Sequence, residues 1–167
     1  MGGAGPGRRY ATQQINQAYA MLLSSQFQGF CRDLHSEATD CICGPAGAGD
    51  MRLLLLHLRL TAGRKLDTGN PNPSNLGNDF AFFELDLWKK LKVRNAANSQ
   101  RNRQLEELNR WRNAIAHQDF DPARLGGRTT ITLNDVRRWR RTCEHLAIDM
   151  DWVIAVHIAT IIGVSPW

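Results

Sequence analysis

The sequence predicts an all-helical domain, five helices in one bundle. Three observations carry this. Apolar residues recur at three- and four-residue steps through most of the chain. The helix-breaking glycines and prolines gather in a few stretches, and only Arg128 to Thr132, rich in β-branched residues, reads as a short extended segment, just before the last helix. Finally, 167 residues that are 43% hydrophobic and 22% charged are enough to bury roughly two-thirds of the unfolded surface in one core.

The elements follow in order. Residues 1–9 read as a flexible tail, because MGGAGPG has neither the apolar run nor the charged start of a signal peptide. The domain proper spans residues 10–162. Its first helix runs from Tyr10 to about Ala38, with Ile15, Ala18, Leu22, Phe27, Phe30 and Leu34 as its apolar stripe, and CGPAGAGD ends it. Asp50 caps a second helix, Met51 to about Arg64, whose run of four leucines implies deep burial. Leu66 to Gly77, with two glycines and two prolines among Asn and Ser, reads as loop.

A third helix opens at Asn78 or Asp79 and runs to about Leu91, with Phe80, Phe83, Leu87, Trp88 and Leu91 on its apolar face. The fourth runs from about Gln100 to His117, with Leu105, Leu108, Trp111, Ile115 and Ala116 available for packing; Pro122 opposes helix at Asp121. Thr132-x-x-Asp135 resembles a capping box, so the last helix starts at Leu133 or Asn134 and continues to about Ile161. Residues 163–167 are a C-terminal tail.

The apolar stretches Leu53 to Leu60 and Trp152 to Val164 are too short to span a bilayer, so no membrane is expected. The four cysteines read as reduced thiols of a cytoplasmic protein. Cys41-x-Cys43, with only Cys31 and His35 nearby, lacks the paired elements of a zinc site, and neither metal nor cofactor is expected. The net charge of +5 is unevenly spread: Lys89 to Arg112 carries +6 and Arg124 to Arg141 carries +5, leaving the remainder at −6. Two basic segments on a common face would favour a polyanion; on separate faces they are ordinary solvated helix surfaces.

Chemistry concentrates in NRWRNAIAHQDFDP, from Asn109. Arg-x4-His spacing alone is weak, since 17 arginines and five histidines give about half an occurrence by chance, and this chain has three. Arg52 to His57 lies in the leucine-rich helix and Arg140 to His145 inside the last helix; both read as structural or surface histidines. Arg112 to His117 differs in its setting. Asn113 follows the arginine directly, Ala114 to Ala116 are small or apolar, and the histidine stands at the helix end. Asn109, Asn113 and His117, four residues apart, share one face. Arg110 and Trp111 flank them, the first suited to phosphate and the second more often core.

The string RNAIAH resembles the Arg-x4-6-His motif of HEPN domains, which closes the penultimate long helix of a helical bundle. NQAYAMLLSSQFQGFCRDLHSEA is similar to the first helix of the HEPN branch named after RiboL-PSP association. The resemblance implies a metal-independent endoribonuclease, often a toxin or defence effector, that works as a homodimer with two motifs facing each other. It makes Arg112 and His117 the catalytic pair and Asn113 their polar helper, with RNA as substrate and a cognate antitoxin as partner. Some such toxins carry a tyrosine two residues after the histidine as a modification site; Asp119 stands there in this chain, which puts that regulation in doubt.

The residue types suit the reaction on their own terms. RNA is cut when its 2′-hydroxyl attacks the adjacent phosphate, leaving 2′,3′-cyclic phosphate and 5′-hydroxyl ends, and DNA lacks that nucleophile. The step needs a group that exchanges protons near neutral pH, as histidine does. It also needs a cation for the growing charge, and the arginine fork grips two phosphate oxygens. Asn109, Arg110, Arg137, Arg138 and Arg141 are the expected RNA contacts.

Each residue also has a plainer reading. His117 is then a helix-terminal histidine, Arg112 an ion-pair partner of Glu106 or Glu107, the last-helix arginines including Arg140 a solvated face, and Arg32 with His35 a structural pair. At the level of the whole protein the alternatives are a non-catalytic HEPN module that binds RNA, nucleotide or a protein, and a DNA-binding protein using the last helix.

Overall fold

The computed structural model describes residues 6–44 and 50–167. Three long helices form its frame: α1 (Pro6–Cys43), α6 (Asn98–His117) and α7 (Leu133–Ile162). Side-chain contacts between α1 and the last segment step in the same direction, Asn16 to Ile131, Tyr19 to Arg140 and Cys41 to Pro166, so α1 and α7 run parallel. Contacts of α6 step the other way, Asn98 to Asp149, Gln104 to Thr142 and Glu107 to Arg138, so α6 is antiparallel to α7. The C-terminal end of α6 therefore meets the N-terminal ends of α1 and α7.

Among the described residues there are seven α-helices and no strand, where five helices and an extended segment were expected. The segment before α7 pairs with side chains instead: the Ile131 carbonyl accepts from Gln13 Nε2 (2.9 Å) and Asn16 Nδ2 (3.1 Å). The two extra helices arise where a loop was read. Asn72 accepts a hydrogen bond from the Asn75 amide (2.8 Å) and Pro73 occupies the first turn, so α4 (Pro73–Phe80) starts inside the presumed loop. The Asp79 carboxylate accepts from the Lys65 and Leu66 amides (2.7 and 2.8 Å) and so caps α3 (Lys65–Thr68) from a distance.

The expected third helix is likewise split. After α4 comes a 3-10 turn (Ala81–Phe83), then Glu84 in the left-handed region at φ 59°, then α5 (Leu87–Arg94) capped by Asp86. The first helix starts at Pro6, within the presumed tail; residues 1–5, and residues 45–49 of the presumed helix stop, lie outside the described residues. At the other end of the chain, the Thr132/Asp135 capping box forms as read from the sequence and α7 ends at Gly163, φ 79°.

The core lies between these helices. The face of α1 that enters it carries Ala20, Leu23, Phe27, Cys31, Leu34 and Ala38, whereas Ile15, Ala18 and Leu22 of the expected stripe are exposed. Phe80, Phe83, Leu87, Leu91, Leu105, Leu108, Trp111 and Ile115 are buried as read. The leucine run is a correction: among the described residues α2 (Met51–Thr61) packs chiefly against α1, burying Leu60 and leaving Leu54, Leu55, Leu56 and Leu58 exposed. By length and composition α7 is apolar enough to cross a membrane, with mean hydropathy 1.5 over its best window. One-third of that window is buried inside the bundle, through residues such as Leu146, Met150, Val153, Ile154 and Ile158, while Ile148, Trp152, Val156 and Ile161 are exposed.

One polar node ties the frame together near the site. Glu107 of α6 accepts from Arg128, from Arg138 (2.9 Å) and from the indole N–H of the buried Trp139 (3.3 Å), and Asp135 accepts from the same two arginines. Glu107→Gln leaves two guanidiniums sharing one carboxylate. With these side chains about one-third exposed, solvent softens the loss, and the expected cost is about 1 kcal/mol, read as a shift in urea midpoint at constant slope.

Candidate functional site

The polar face at the end of α6 is built by how that helix stops. Gln118 adopts the left-handed conformation at φ 53°, and the Asp119 amide turns back to the Ala114 carbonyl (3.0 Å). The chain then leaves the helix axis, and Asp119, Arg124 and Leu125 fold back over the last turn. Between them and the helix lies a cavity of about 340 Å³, lined by Arg110, Asn113, Ala114, His117, Asp119, Arg124 and Leu125.

His117 opens into this cavity. It is exposed, ends α6, and makes no hydrogen bond or ion pair with the described residues. Asn113 is engaged twice through its amide oxygen, which accepts from Asn70 Nδ2 (3.0 Å) and from the Arg112 guanidinium (3.3 Å). Arg112 therefore stands beside the cavity, tethered to a residue that lines it, and is not itself among the lining side chains. It pairs with neither Glu106 nor Glu107: Glu106 faces Arg110 (3.7 Å) and Glu107 is taken by Arg128 and Arg138. The cavity's cations are Arg110 and Arg124, the latter drawn to Asp119 (3.1 Å) and Asp121 (3.7 Å).

Burial takes Asn109 out of reach of RNA, and pairing engages Arg138. Asn109 is only 2% exposed and its amide donates to the Pro71 carbonyl (3.1 Å) and to the Leu105 carbonyl (2.9 Å), with its own oxygen buried and unpartnered. It pins the loop that carries Asn70, and so supports Asn113 at one remove. Arg138 is held by Glu107 and Asp135 on the α6 side. Arg110 lines the cavity, and Trp111 is core, 1% exposed with the Arg128 guanidinium 5.6 Å from its ring centre. Arg137 and Arg141 are exposed but line a different groove, with Tyr19 and Arg140.

The remaining candidates are structural. His35 is fully buried against Phe80 and Phe83, Arg32 pairs with Asp67 (3.2 Å), and His57 faces Asp40 (3.3 Å). Cys31, Cys43 and Cys143 are buried free thiols, and burial pushes Cys143 up to about 12. Among the described residues no three His, Cys, Asp or Glu side chains converge as a metal site. Sequence reading missed Arg124 and Asn70. Arg124 carries no local signal beyond its nearby aspartates, and Asn70 reaches Asn113 across 43 positions of chain.

A family model described as RiboL-PSP-HEPN matches residues 8–155, which takes in all but the first two residues of α1 and the whole of α6. No curated protein and no solved structure matches the chain.

Proposed function

The chain belongs to the RiboL-PSP-HEPN family, and from that premise we propose that it is a metal-independent endoribonuclease. It cuts RNA by 2′-hydroxyl attack and leaves 2′,3′-cyclic phosphate and 5′-hydroxyl ends. The observation that supports this best is a His117 imidazole, without a partner among the described residues, opening with Arg110 and Arg124 into a cavity whose Asn113 also holds the Arg112 guanidinium. In this reading His117 moves the proton between the 2′-hydroxyl and the leaving oxygen. Arg112 takes the charge that develops on the phosphate, and Asn113 fixes the arginine's fork. Arg110 and Arg124 contact flanking phosphates in the same cavity.

A homodimer completes the proposal, two motifs facing each other so that Arg112, which does not line its own chain's cavity, reaches the shared cleft. A toxin or defence role in the cytoplasm, restrained by a cognate antitoxin, follows from the same family reading. The test is end-labelled RNA incubated with the protein in excess chelator. Fragments ending in cyclic phosphate are expected, with specific activity falling on dilution below the dimer's dissociation constant; cleavage that chelator abolishes overturns the mechanism.

The separation of Arg112 from the His117 cavity also favours a second reading, a non-catalytic module binding RNA, nucleotide or a protein there. That module would retain RNA on a filter and yield no fragments.

A further inference from the structure

The surplus positive charge of the last helix goes to a place the motif does not use. Arg137 and Arg141 lie one turn apart on α7, exposed, without an ion pair among the described residues. Like charges four residues apart on a helix repel. Arg138, between them in sequence, faces the other way and has two carboxylates. The free pair instead borders a groove of about 680 Å³ between α1 and the start of α7, lined also by Tyr19, Leu133, Asn134 and Arg140. It shares no lining residue with the His117 cavity.

The groove is organised. Arg140 donates to Glu144 (2.7 Å), the groove's one acidic residue, and to the Tyr19 hydroxyl (3.4 Å), so this ion pair is spent on holding the tyrosine. The half-buried Tyr19 ring and Leu133 supply an apolar wall beside the two free guanidiniums. Leu133 and Asn134 are the first residues of a 30-residue helix, whose positive end adds to the field. Alternating flat apolar surface and cations is the recognition pattern for single-stranded nucleic acid, in which bases stack while the backbone is neutralised. An acidic peptide would use the cations and leave the aromatic wall idle.

We propose that this α1–α7 groove is a second RNA site, which holds a single strand by its phosphates on Arg137 and Arg141 and by a base against Tyr19. It rests on the reading of the protein as one that acts on RNA, and gives that protein a hold on its substrate outside the cleft where the motif works.

The test uses the full chain carrying His117→Ala, so that cleavage does not interfere, and a fluorescein-labelled single-stranded oligouridylate followed by anisotropy at several salt concentrations. Arg137→Ala/Arg141→Ala is expected to bind about tenfold more weakly at low salt, with the salt slope shallower by about 1.4, the loss of two single-strand phosphate contacts. Tyr19→Leu should weaken binding about tenfold at unchanged slope, and Tyr19→Phe, which keeps the stacking ring and loses only the long hydroxyl contact to Arg140, should stay within about twofold of the parent. Unchanged affinity and slope in the double arginine variant overturn the proposal, as does displacement of the oligonucleotide by polyglutamate at equal charge concentration, or no binding by the parent. If the variants differ as expected while the native protein never cuts RNA, the nuclease reading falls and the groove stands.

Discussion

His117→Ala is expected to lower RNA cleavage at least about a hundredfold, the lower end of what a positioned proton-transfer group contributes. The chain should keep its fold. His117 is the last residue of α6, exposed and bonded to nothing among the described residues, so its removal should leave stability within about 0.5 kcal/mol of the parent. Arg112→Ala should match it in cleavage, and Arg112→Lys should restore little, since an ammonium keeps the charge and loses the two-pronged grip. Arg110→Ala and Arg124→Ala, which remove lining cations assigned to flanking phosphates, should raise KM several-fold with kcat nearly intact. Single-turnover cleavage of a labelled RNA, with circular dichroism melts of each variant, measures both sides. A His117→Ala protein that cuts at the parental rate sinks the nuclease reading.

The sequence was legible where the deciding interactions are local. The capping box of α7 and the Asp50 cap of α2 join residues two or three positions apart, and both form as read. So does the end of α6 at His117. Reading failed where a distant partner decides. Asp79 caps α3 from 13 positions away, so Lys65 to Thr68 looked like loop. Four leucines implied a buried α2, yet its main partner among the described residues is α1 and most of the run stays exposed, and hydrophobicity alone cannot say how many neighbours a helix will find. On α6, regular spacing correctly put Asn109, Asn113 and His117 on one face. It could not reveal that the Pro71 carbonyl covers the first of them, because that contact spans 38 positions. The arginine cluster divided for the same reason, Arg138 toward Glu107 and its neighbours Arg137 and Arg141 outward.

His35 makes the protein acid-sensitive at a place remote from the motif. Its ring is fully buried against Phe80 and Phe83, its Nε2–H donates to the Asp79 carbonyl (3.1 Å), and Nδ1 has no partner. Protonation would leave a second N–H without an acceptor in an apolar pocket. Burial, and then Arg64 nearby, push the imidazole down to about 4, against the opposing pull of Asp79 and Asp67. Between that value and the ordinary one near 6.5 the unfolded chain binds a proton that the folded chain refuses, so stability falls as pH drops through the unfolded value. The loss should be about 2 kcal/mol at pH 5 and about 3 kcal/mol once pH is below 4. His35→Leu should remove this dependence, because the Asp79 carbonyl it abandons still accepts from the Ala81 amide. Urea melts of parent and variant at pH 7.5 and 5.0 decide the matter. An equal acid loss in both proteins would assign the sensitivity to other groups, whereas a variant less stable at pH 7.5 yet flat to pH 5 locates it at this ring.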